Sequence, residues 1–468
     1  MWKMKRKVLL INPAWKVENK SNLWRKVASC YPSLGLAYIA SVLEKEGHEV
    51  IFLDMHAENY SPKDVAKLLK SKKYDALDYV GITATTPLIN CAYELAKVVK
   101  KRFPQVVVVL GGVHPTVLPD EVLGNRYVDI IVREEGELTM RDIVNGLPLN
   151  DLLGISYKHE GCNLHNPPRP YIENLDDFPP PAYHLIPIGN YRPAIGSYKR
   201  LPAMSIFATR GCPGRCTFCH RAFKGRIRSR SAKKIIEEIK ILVNDYGIRE
   251  INFYDDTFTA LKSNVEDFCR ILLKEKIDIT WSCFTRVNYV DKRLFSLMKK
   301  AGCHQVMMGV ESGVQEILDG MNKMITLEQI RKAVEICKEV GLETRAAYIL
   351  GSIGETKETM EKTLQFAIEL DTDYAQFNIL TAYPGTEVWK MAEKNGWLRV
   401  KDYDYSVSDF TLELPTVSQD EILEMYKKAH RKYYLRPKVI WRRLLKLRSW
   451  AQVKQEVLGA LAVAMDAD

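Results

Sequence analysis

The stretch Thr209-Arg-Gly-Cys-Pro-Gly-Arg-Cys-Thr-Phe-Cys-His220 sets three cysteines, Cys212, Cys216 and Cys219, in a C-x-x-x-C-x-x-C spacing. Three clustered thiolates can each hold one iron of a cubane cluster, for which cysteine is the usual protein ligand. Three ligands leave the fourth iron free. A free iron can bind and reduce a small molecule, where a four-cysteine site would only carry electrons. Gly211, Pro213 and Gly214 mark a loop able to wrap a bulky inorganic core. Two other uses of the motif fit less well. Zinc takes four ligands, usually as two C-x-x-C pairs, and His220 directly follows Cys219, an awkward place from which to close a tetrahedron. A disulfide framework is expected of short secreted chains, not of 468 residues without a secretory signal.

Cys212-x-x-x-Cys216-x-Phe218-Cys219, with its aromatic before the last cysteine, resembles the signature of the radical S-adenosylmethionine (SAM) superfamily. The resemblance implies a [4Fe-4S] cluster on the three cysteines, whose free iron binds the amino and carboxylate groups of SAM. It also implies a SAM contact at Phe218 and reductive cleavage of SAM to a 5′-deoxyadenosyl radical.

Strand and helix alternate around this loop. Met204-Ser-Ile-Phe-Ala-Thr209 is a strand feeding it. A helix over 231–246 follows, capped by Ser231, stopped by Gly247, with Ile235, Ile239, Leu242 and Val243 on one face. Further strands are expected at 250–254, 279–284, 305–310, 343–350 and 374–380, with helices between them. Six such units over 199–399 predict a partial (β/α)6 barrel of TIM type, with its chemistry at the carboxyl ends of the strands. Those ends carry residues suited to a zwitterionic nucleoside. Arg286 can pair with a carboxylate, Glu311 and the adjacent Ser312 face the ribose, and Gly351 and Gly354 let backbone approach adenine. In the alternative reading, Arg286 and Glu311 are a structural ion pair inside the barrel. Asp255 falls where the family places a residue receiving the SAM amino group. The family's Gly-Gly-Glu is replaced there by Tyr254-Asp255-Asp256. The remaining seven cysteines are scattered and read as buried apolar filler.

Upstream, Val8-Leu-Leu-Ile11, Val50-Ile-Phe-Leu53, Tyr79-Val-Gly-Ile82, Val106 to Leu110 and Val128 to Val132 read as strands, with helices at 33–45, 65–69 and 90–101. The wholly apolar run at 106–110 marks a parallel sheet covered on both faces. Residues 1–145 are therefore expected to form a doubly wound, Rossmann-like α/β domain with a ligand at the carboxyl ends of its strands. The loops there carry small residues and hydroxyls, and together they resemble the cobalamin-binding domain fused to many radical SAM enzymes. Gly111-Gly112 matches that family's glycine pair, and Thr83-Ala-Thr-Thr86 its hydroxyl loop. The resemblance implies cobalamin contacts at Asn12, Ser33, Gly35, Thr83, Thr85, Thr86, Gly111, Gly112, His114, Thr116 and Glu135. The family's cobalt-ligating D-x-H-x-x-G motif is missing. After the first strand the chain reads Asn12-Pro-Ala-Trp-Lys-Val-Glu18, and Asp54-Met-His56 follows the second strand and lacks the glycine. No His–cobalt bond is expected from that motif.

Residues 146–198 are proline-rich and read as a wrapping linker. From 400 to 468 the alternation gives way to a helical extension. Ser418 opens a helix to about Tyr434, followed by a stretch from Leu435 to Trp450 in which Trp441, Leu444, Leu445 and Leu447 lie among Lys438, Arg442, Arg443, Lys446 and Arg448. A cationic helix of this kind can lie on an anionic membrane surface, or pack on the core and leave its basic face to solvent. The formal charge of +10 permits anionic partners without demanding nucleic acid, and none is expected. No run of about 18 apolar residues predicts a membrane span. Cysteine usage suits a reducing cytoplasm, with peripheral contact at the inner membrane face as a further expectation.

The tail segment Tyr433-Tyr-Leu-Arg-Pro437 and the run Arg226-Ile-Arg-Ser-Arg-Ser231 resemble the branch containing anaerobic magnesium-protoporphyrin monomethyl ester cyclase and hopanoid- or lipid-modifying enzymes. The resemblance implies an enzyme that abstracts hydrogen from an unactivated carbon of a hydrophobic, tetrapyrrole- or lipid-like molecule, leading to methylation or oxidative cyclisation, with an external low-potential electron donor. Two rival functions are weighed against it. A methylthiotransferase acting on transfer RNA needs three N-terminal cluster cysteines, which Cys30, Cys91 and Cys162 do not resemble, and a C-terminal β-barrel. A non-catalytic corrinoid or iron–sulfur carrier would not need the polar strand ends.

Overall fold

The computed structural model describes residues 4–15, 29–194, 196–221, 223, 225–400 and 410–446. The chain divides into two compact units, one built mainly from residues 30–191 with the N-terminal strand, the other mainly from residues 192–400 with the C-terminal helices.

In the first unit, strands β1 (Lys7–Asn12), β2 (Glu49–Asp54), β3 (Tyr79–Thr83), β4 (Val107–Gly111) and β5 (Ile130–Val132) run parallel. Their order is β2-β1-β3-β4-β5, so the winding reverses at β1 and a ligand crevice opens between the ends of β1 and β3. The crossovers are helices α1 (Leu34–Lys45), α2 (Met55–Glu58), α3 (Pro62–Leu68), α4 (Ile89–Arg102), α5 (Val113–Val117), α6 (Pro119–Gly124) and α7 (Glu137–Val144). Strand alternation builds two cores. Val8 and Leu10 pack toward α1 and α7, while Leu9 and Ile11 pack toward α3 and α4. The stretch expected to be a linker contributes two more strands, β6 (Ile155–His159) and β7 (Cys162–His165), antiparallel at the sheet edge. Glu160 and Gly161, at φ of 50° and 83°, make the left-handed turn a tight hairpin needs.

The second unit has six parallel strands in the order β15-β14-β13-β12-β11-β8. They are β8 (Ala203–Ile206), β11 (Glu250–Phe253), β12 (Thr280–Thr285), β13 (Cys303–Glu311), β14 (Glu343–Leu350) and β15 (Tyr374–Ile379). A separate pair, β9 (Thr209–Arg210) and β10 (Arg228–Ser229), is antiparallel. Helices α8 (Ala232–Tyr246), α9 (Lys262–Glu275), α10 (Lys292–Lys300), α11 (Gln315–Gly320), α12 (Leu327–Val340), α13 (Lys357–Leu370) and α14 (Glu387–Lys394) intervene, giving the expected (β/α)6 arrangement. Ser231 caps α8 by accepting from Lys234 N–H, and Gly247 ends it at φ 66°. On the helix-facing side Phe253, Phe258, Phe268 and Trp281 form a buried aromatic cluster, with Phe253 and Phe258 ring centres 4.2 Å apart. The thiols of Cys269, Cys283, Cys303 and Cys337 are buried too, as expected, and so are Cys30 and Cys91 of the first unit, whereas Cys162, on the edge strand β7, is exposed and is not the buried filler expected. The opposite side of the sheet is different, for there Phe207, Tyr254, Phe284, Met307, Arg345 and Ala347 are each only half-buried.

Helix α15 (Gln419–Tyr434) opens with a Ser418–Glu421 capping box. Helix α16 (Pro437–Lys446) reverses the expected polarity. Arg442 donates to Thr372 O at 2.7 Å, Lys438 pairs with Asp371 at 2.7 Å, and Arg443 stacks on Tyr434. Ile440, Trp441, Leu444 and Leu445 are exposed, because the carboxylates of Asp371 and Asp373 draw the cations inward. Leu447, Arg448 and Trp450 lie outside the described residues, as do Lys16, Val17 and Glu18. Among the described residues no helix is long and apolar enough to cross a membrane.

Candidate functional site

The β9–β10 pair closes the neck of the cysteine loop. Gly211 sits there at φ 97°, its Cα turned against Arg226 O where no side chain would fit. The loop is clamped from two directions. Thr217 N–H donates to Met321 O at 2.9 Å and Asn322 Nδ2 to Arg215 O at 3.0 Å, while Val388 N–H at the start of α14 donates to Thr217 O at 3.0 Å. Cys216 is buried, Cys212 half-buried and Cys219 exposed. Hydrogen bonds converge on the sulfurs. The Thr257 hydroxyl shares its one proton between Asp256 O at 2.6 Å and Cys212 Sγ at 3.3 Å, Gly214 N–H donates to the same sulfur at 3.4 Å, and Arg286 Nη1 to Cys216 Sγ at 3.5 Å. Cys219 keeps an exposed flank, yet its thiol is dense enough in neighbours that burial, followed by Cys216, Asp256 and Cys212, pushes its pKa up to about 12. Cys216 and Cys212 thus lie close enough to oppose the ionisation of Cys219, a conflict that bound iron relieves by taking the thiolate. Among the described residues no three Cys, His, Asp or Glu side chains converge on a single-ion point. A cubane meets its cysteines at separate corners, so the donor set fits a cluster.

The strand ends behave unevenly. Asp255 is 2% exposed, and its Oδ1 accepts the backbone N–H groups of Ala208, at 3.0 Å, and Thr209. Burial raises its pKa to about 7, and Oδ2 has no partner among the described residues. Glu311, at φ 68°, accepts from Lys323 Nζ at 2.5 Å, and Lys323 also stands over the Phe218 ring at 5.9 Å. A Cβ on Gly309 would lie 2.7 Å from Lys323 Nζ, so glycine makes room for the pair. Arg286 therefore does not pair with Glu311. Its second arm, Nη2, donates to Lys323 O at 2.5 Å. Ser312 turns away, its hydroxyl 3.1 Å from Thr363 Oγ1. Gly351 is glycine because Ile422 of α15 covers it, 2.8 Å from where a Cβ would be. At Gly354 the nearest neighbour, Ile317 Cδ1, is 4.0 Å away, so backbone there is open to a ligand.

In the first unit the expected residues divide between framework and open edge. Asn12 Nδ2 donates to Asp54 at 3.0 Å, and the same carboxylate takes Tyr191 Oη at 2.9 Å and the N–H groups of His56 and Ala57. Asp54 is a helix cap, not the orienter of a ligating histidine. Gly112, at φ 103°, is backed by Ala84 O, 2.6 Å from where a Cβ would be, and by Thr83 Oγ1. Thr116 Oγ1 donates to Gly112 O at 2.8 Å and accepts from Glu134 N–H at 2.9 Å. His114 is buried between Thr86 Oγ1 at 3.2 Å and Glu121 Oε1 at 3.4 Å, and burial holds it below the ordinary imidazole range against the pull of Glu121. Glu135 Oε2 accepts from Ile172 N–H at 2.9 Å. Gly111 packs at ordinary distance on Val132. Ser33 makes no cap bond, Gly35 has nothing within 4 Å of a Cβ position, and Thr85 is exposed. Open glycine and uncommitted hydroxyls at the ends of parallel strands fit a large amide-fringed ligand such as cobalamin.

Family comparison agrees with both halves. Residues 206–367 match the radical SAM superfamily and residues 22–144 the B12 binding domain. An uncharacterized methyltransferase of Pyrococcus horikoshii is 38% identical over 98% of both chains. The anaerobic magnesium-protoporphyrin IX monomethyl ester cyclase of Rubrivivax gelatinosus is 30% identical over 92% of this chain and 77% of that one. This chain belongs to the B12-binding radical SAM family. The cobalamin-dependent radical SAM enzyme OxsB, solved with aqua-cobalamin and SAM, shares its fold, with a TM-score of 0.74 at 17% identity over 99% of this chain and 72% of that one. As a B12-binding radical SAM enzyme the protein works with a [4Fe-4S] cluster, SAM and cobalamin.

Three of its site residues escape sequence reading. Lys323 lies twelve positions beyond Glu311 in a loop with no local signature. Thr257 and Asp256 follow the aspartate that was singled out; Thr257 Oγ1 lies 3.3 Å from Cys212 Sγ and the charge of Asp256 helps push up the Cys219 thiol, while Asp255 braces the strand behind them. A D-D-T run at a strand end was the available signal.

Proposed function

We propose that this enzyme acts on a hydrophobic substrate, tetrapyrrole- or lipid-like, by abstracting hydrogen from an unactivated carbon and then methylating or oxidatively cyclising the product radical. The observation that carries this reading is the inner side of the six-stranded sheet. Strand register places Phe207, Tyr254, Phe284 and Met307 side by side across β8 to β13. Tyr254 and Phe284 are edge to face with ring centres 5.2 Å apart. All four are half-buried while the helix-facing side is closed. An apolar wall left open in a folded protein is a binding surface. The cyclase relative, named for a magnesium-protoporphyrin ester, supports the same substrate class.

When bound, the cluster supplies an electron that cleaves SAM to a carbon-centred adenosyl radical, and cobalamin supplies a methyl group or an electron route. The chain's own residues do the rest. Cys212, Cys216 and Cys219 hold the cluster in a loop fixed by Met321, Asn322 and Val388. Glu311, held by Lys323, would accept from the SAM ribose, Phe218 and the open backbone at Gly354 would flank the nucleoside, and the Asp255-Asp256 pair at the end of β11 would take the amino group. The apolar wall holds the substrate's target carbon and excludes water from the site. An external low-potential donor supplies the electron.

The test is anoxic reconstitution with iron, sulfide and hydroxocobalamin, then reductant, SAM and a panel of tetrapyrroles, polyisoprenoid lipids and polar metabolites. About four irons, as a cubane requires, one cobalt, and turnover confined to the hydrophobic members are expected. Cys216→Ala should abolish 5′-deoxyadenosine release. Retained SAM cleavage in that variant, or turnover of polar metabolites alone, would sink the reading.

A further inference from the structure

We propose that Arg286 and Thr257 tune the reduction potential of the cluster, Arg286 as a buried fixed charge and Thr257 as a hydrogen-bond donor to sulfur. The proposal rests on the cluster being held by Cys212, Cys216 and Cys219. Arg286 is 8% exposed. One arm points at Cys216 Sγ, 3.5 Å away, and the other is locked on Lys323 O at 2.5 Å. Among the described residues no carboxylate neutralises it. Gly214 shows how close the guanidinium lies to the loop. A Cβ there would fall 2.5 Å from Arg286 Nη1 and 3.3 Å from Cys212 Sγ, so the glycine leaves room for a cation beside two ligand sulfurs. Cys212 is addressed from the other side by the buried Thr257, whose hydroxyl divides its proton between Asp256 O at 2.6 Å and Cys212 Sγ at 3.3 Å.

Reduction adds one electron to a cluster already ringed by thiolates. A fixed positive charge and donors aimed at sulfur stabilise the more negative state and raise the potential, the more so away from water. Lys323, a second buried cation near the loop, is paired with Glu311 at 2.5 Å, so Arg286 supplies a buried charge that no carboxylate among the described residues opposes.

The experiment is an anoxic redox titration of reconstituted protein without SAM, followed by electron paramagnetic resonance of the reduced cluster, with iron counted in every sample. Arg286→Gln, Arg286→Lys, Thr257→Val and Thr257→Ser are compared with wild type. At the wild-type midpoint, Arg286→Gln should lower the reduced-to-oxidised ratio about tenfold, equivalent to about 59 mV for one electron. Arg286→Lys should lower it less, Thr257→Val should lower it in the same direction, and Thr257→Ser should leave it unchanged. Because SAM is absent, a residue that only binds SAM would not move the titration. Arg286→Gln with four irons and the wild-type ratio overturns the proposal. If that variant fails to hold iron, Thr257→Val decides, a lowered ratio supporting tuning and an unchanged one overturning it. Iron lost from wild type would instead indict the cluster assignment, which the iron count shows separately.

Discussion

Glu355 makes the stability of the barrel unit depend on pH in a predictable direction. Its side chain is 0% exposed at the end of β14. Oε2 accepts Ser352 N–H at 2.8 Å, while Oε1 has no partner among the described residues. Burial raises its pKa from 4.5 to about 7, against the two backbone amides of Ser352 and Gly351 that pull it down. Below pH 4 the carboxyl is protonated in both folded and unfolded chains and its ionisation has no effect. As pH rises from about 4.5 to 7 the unfolded chain releases the proton while the folded chain keeps it, so stability falls through that window and levels off above it. At ~1.36 kcal/mol per pH unit the fall is about 3 kcal/mol. Glu355→Gln resembles the protonated acid at every pH. Whatever fixed cost the amide brings cancels when the variant is compared with wild type at two pH values. The measurement is urea unfolding of the cofactor-free proteins between pH 4.5 and 8.5. The variant should gain about 3 kcal/mol on wild type across the range, most of it below pH 7. Parallel stability curves would refute the reasoning, for they would mean that water or another group solvates the carboxylate.

Lys323→Met should destabilise the barrel unit by ~3–5 kcal/mol, since it strands a carboxylate whose side chain is 8% exposed. The double variant Glu311→Gln/Lys323→Met should recover part of that loss in the same unfolding assay, and strict additivity would argue against the pair. Gly351→Ala should cost ~1–3 kcal/mol, because it forces a side chain to φ 73° and into Ile422. Ile422→Ala should return the crowding part and leave the strain, so a double variant no more stable than the sum of the singles counts against the contact.

Where the sequence speaks through periodicity, it was readable. All six barrel strands and the five parallel strands of the first unit fall where apolar runs and their caps placed them, because each is specified by its own residues. The cysteine loop was readable for the same local reason. Direction was harder. Gly351, Ser312 and Asp255 stand at strand ends as expected, yet Ile422, Thr363 and the N–H groups of Ala208 and Thr209 claim them, and those partners lie about 46 to 71 residues away in other elements. The β6–β7 hairpin was hidden by flanking prolines, although Ile155-Ser-Tyr-Lys-His159 alternates and Glu160-Gly161 is a turn. Lys323 had no local signal at all, since only the return of the chain after α11 brings it to Glu311.

That return carries visible strain, and the strain has a use. Glu311, Asn322 and Met324 all adopt left-handed backbone, at φ of 68°, 50° and 58°. Asparagine accepts this conformation at little cost, but glutamate and methionine do not, and each such residue costs ~1–3 kcal/mol. Met324 is 66% exposed, so its side chain does not hold it there. The backbone turn at 322–324 is what lets one residue, Lys323, offer its carbonyl to Arg286 and its ammonium to Glu311 while Met321 and Asn322 grip the cysteine loop. A relaxed turn would lose at least one of those contacts. Three cysteines that must meet separate corners of one cluster need a rigid frame, and the distorted backbone is how a single loop grips the cysteine loop at Arg215 and Thr217 while holding Arg286 and Glu311.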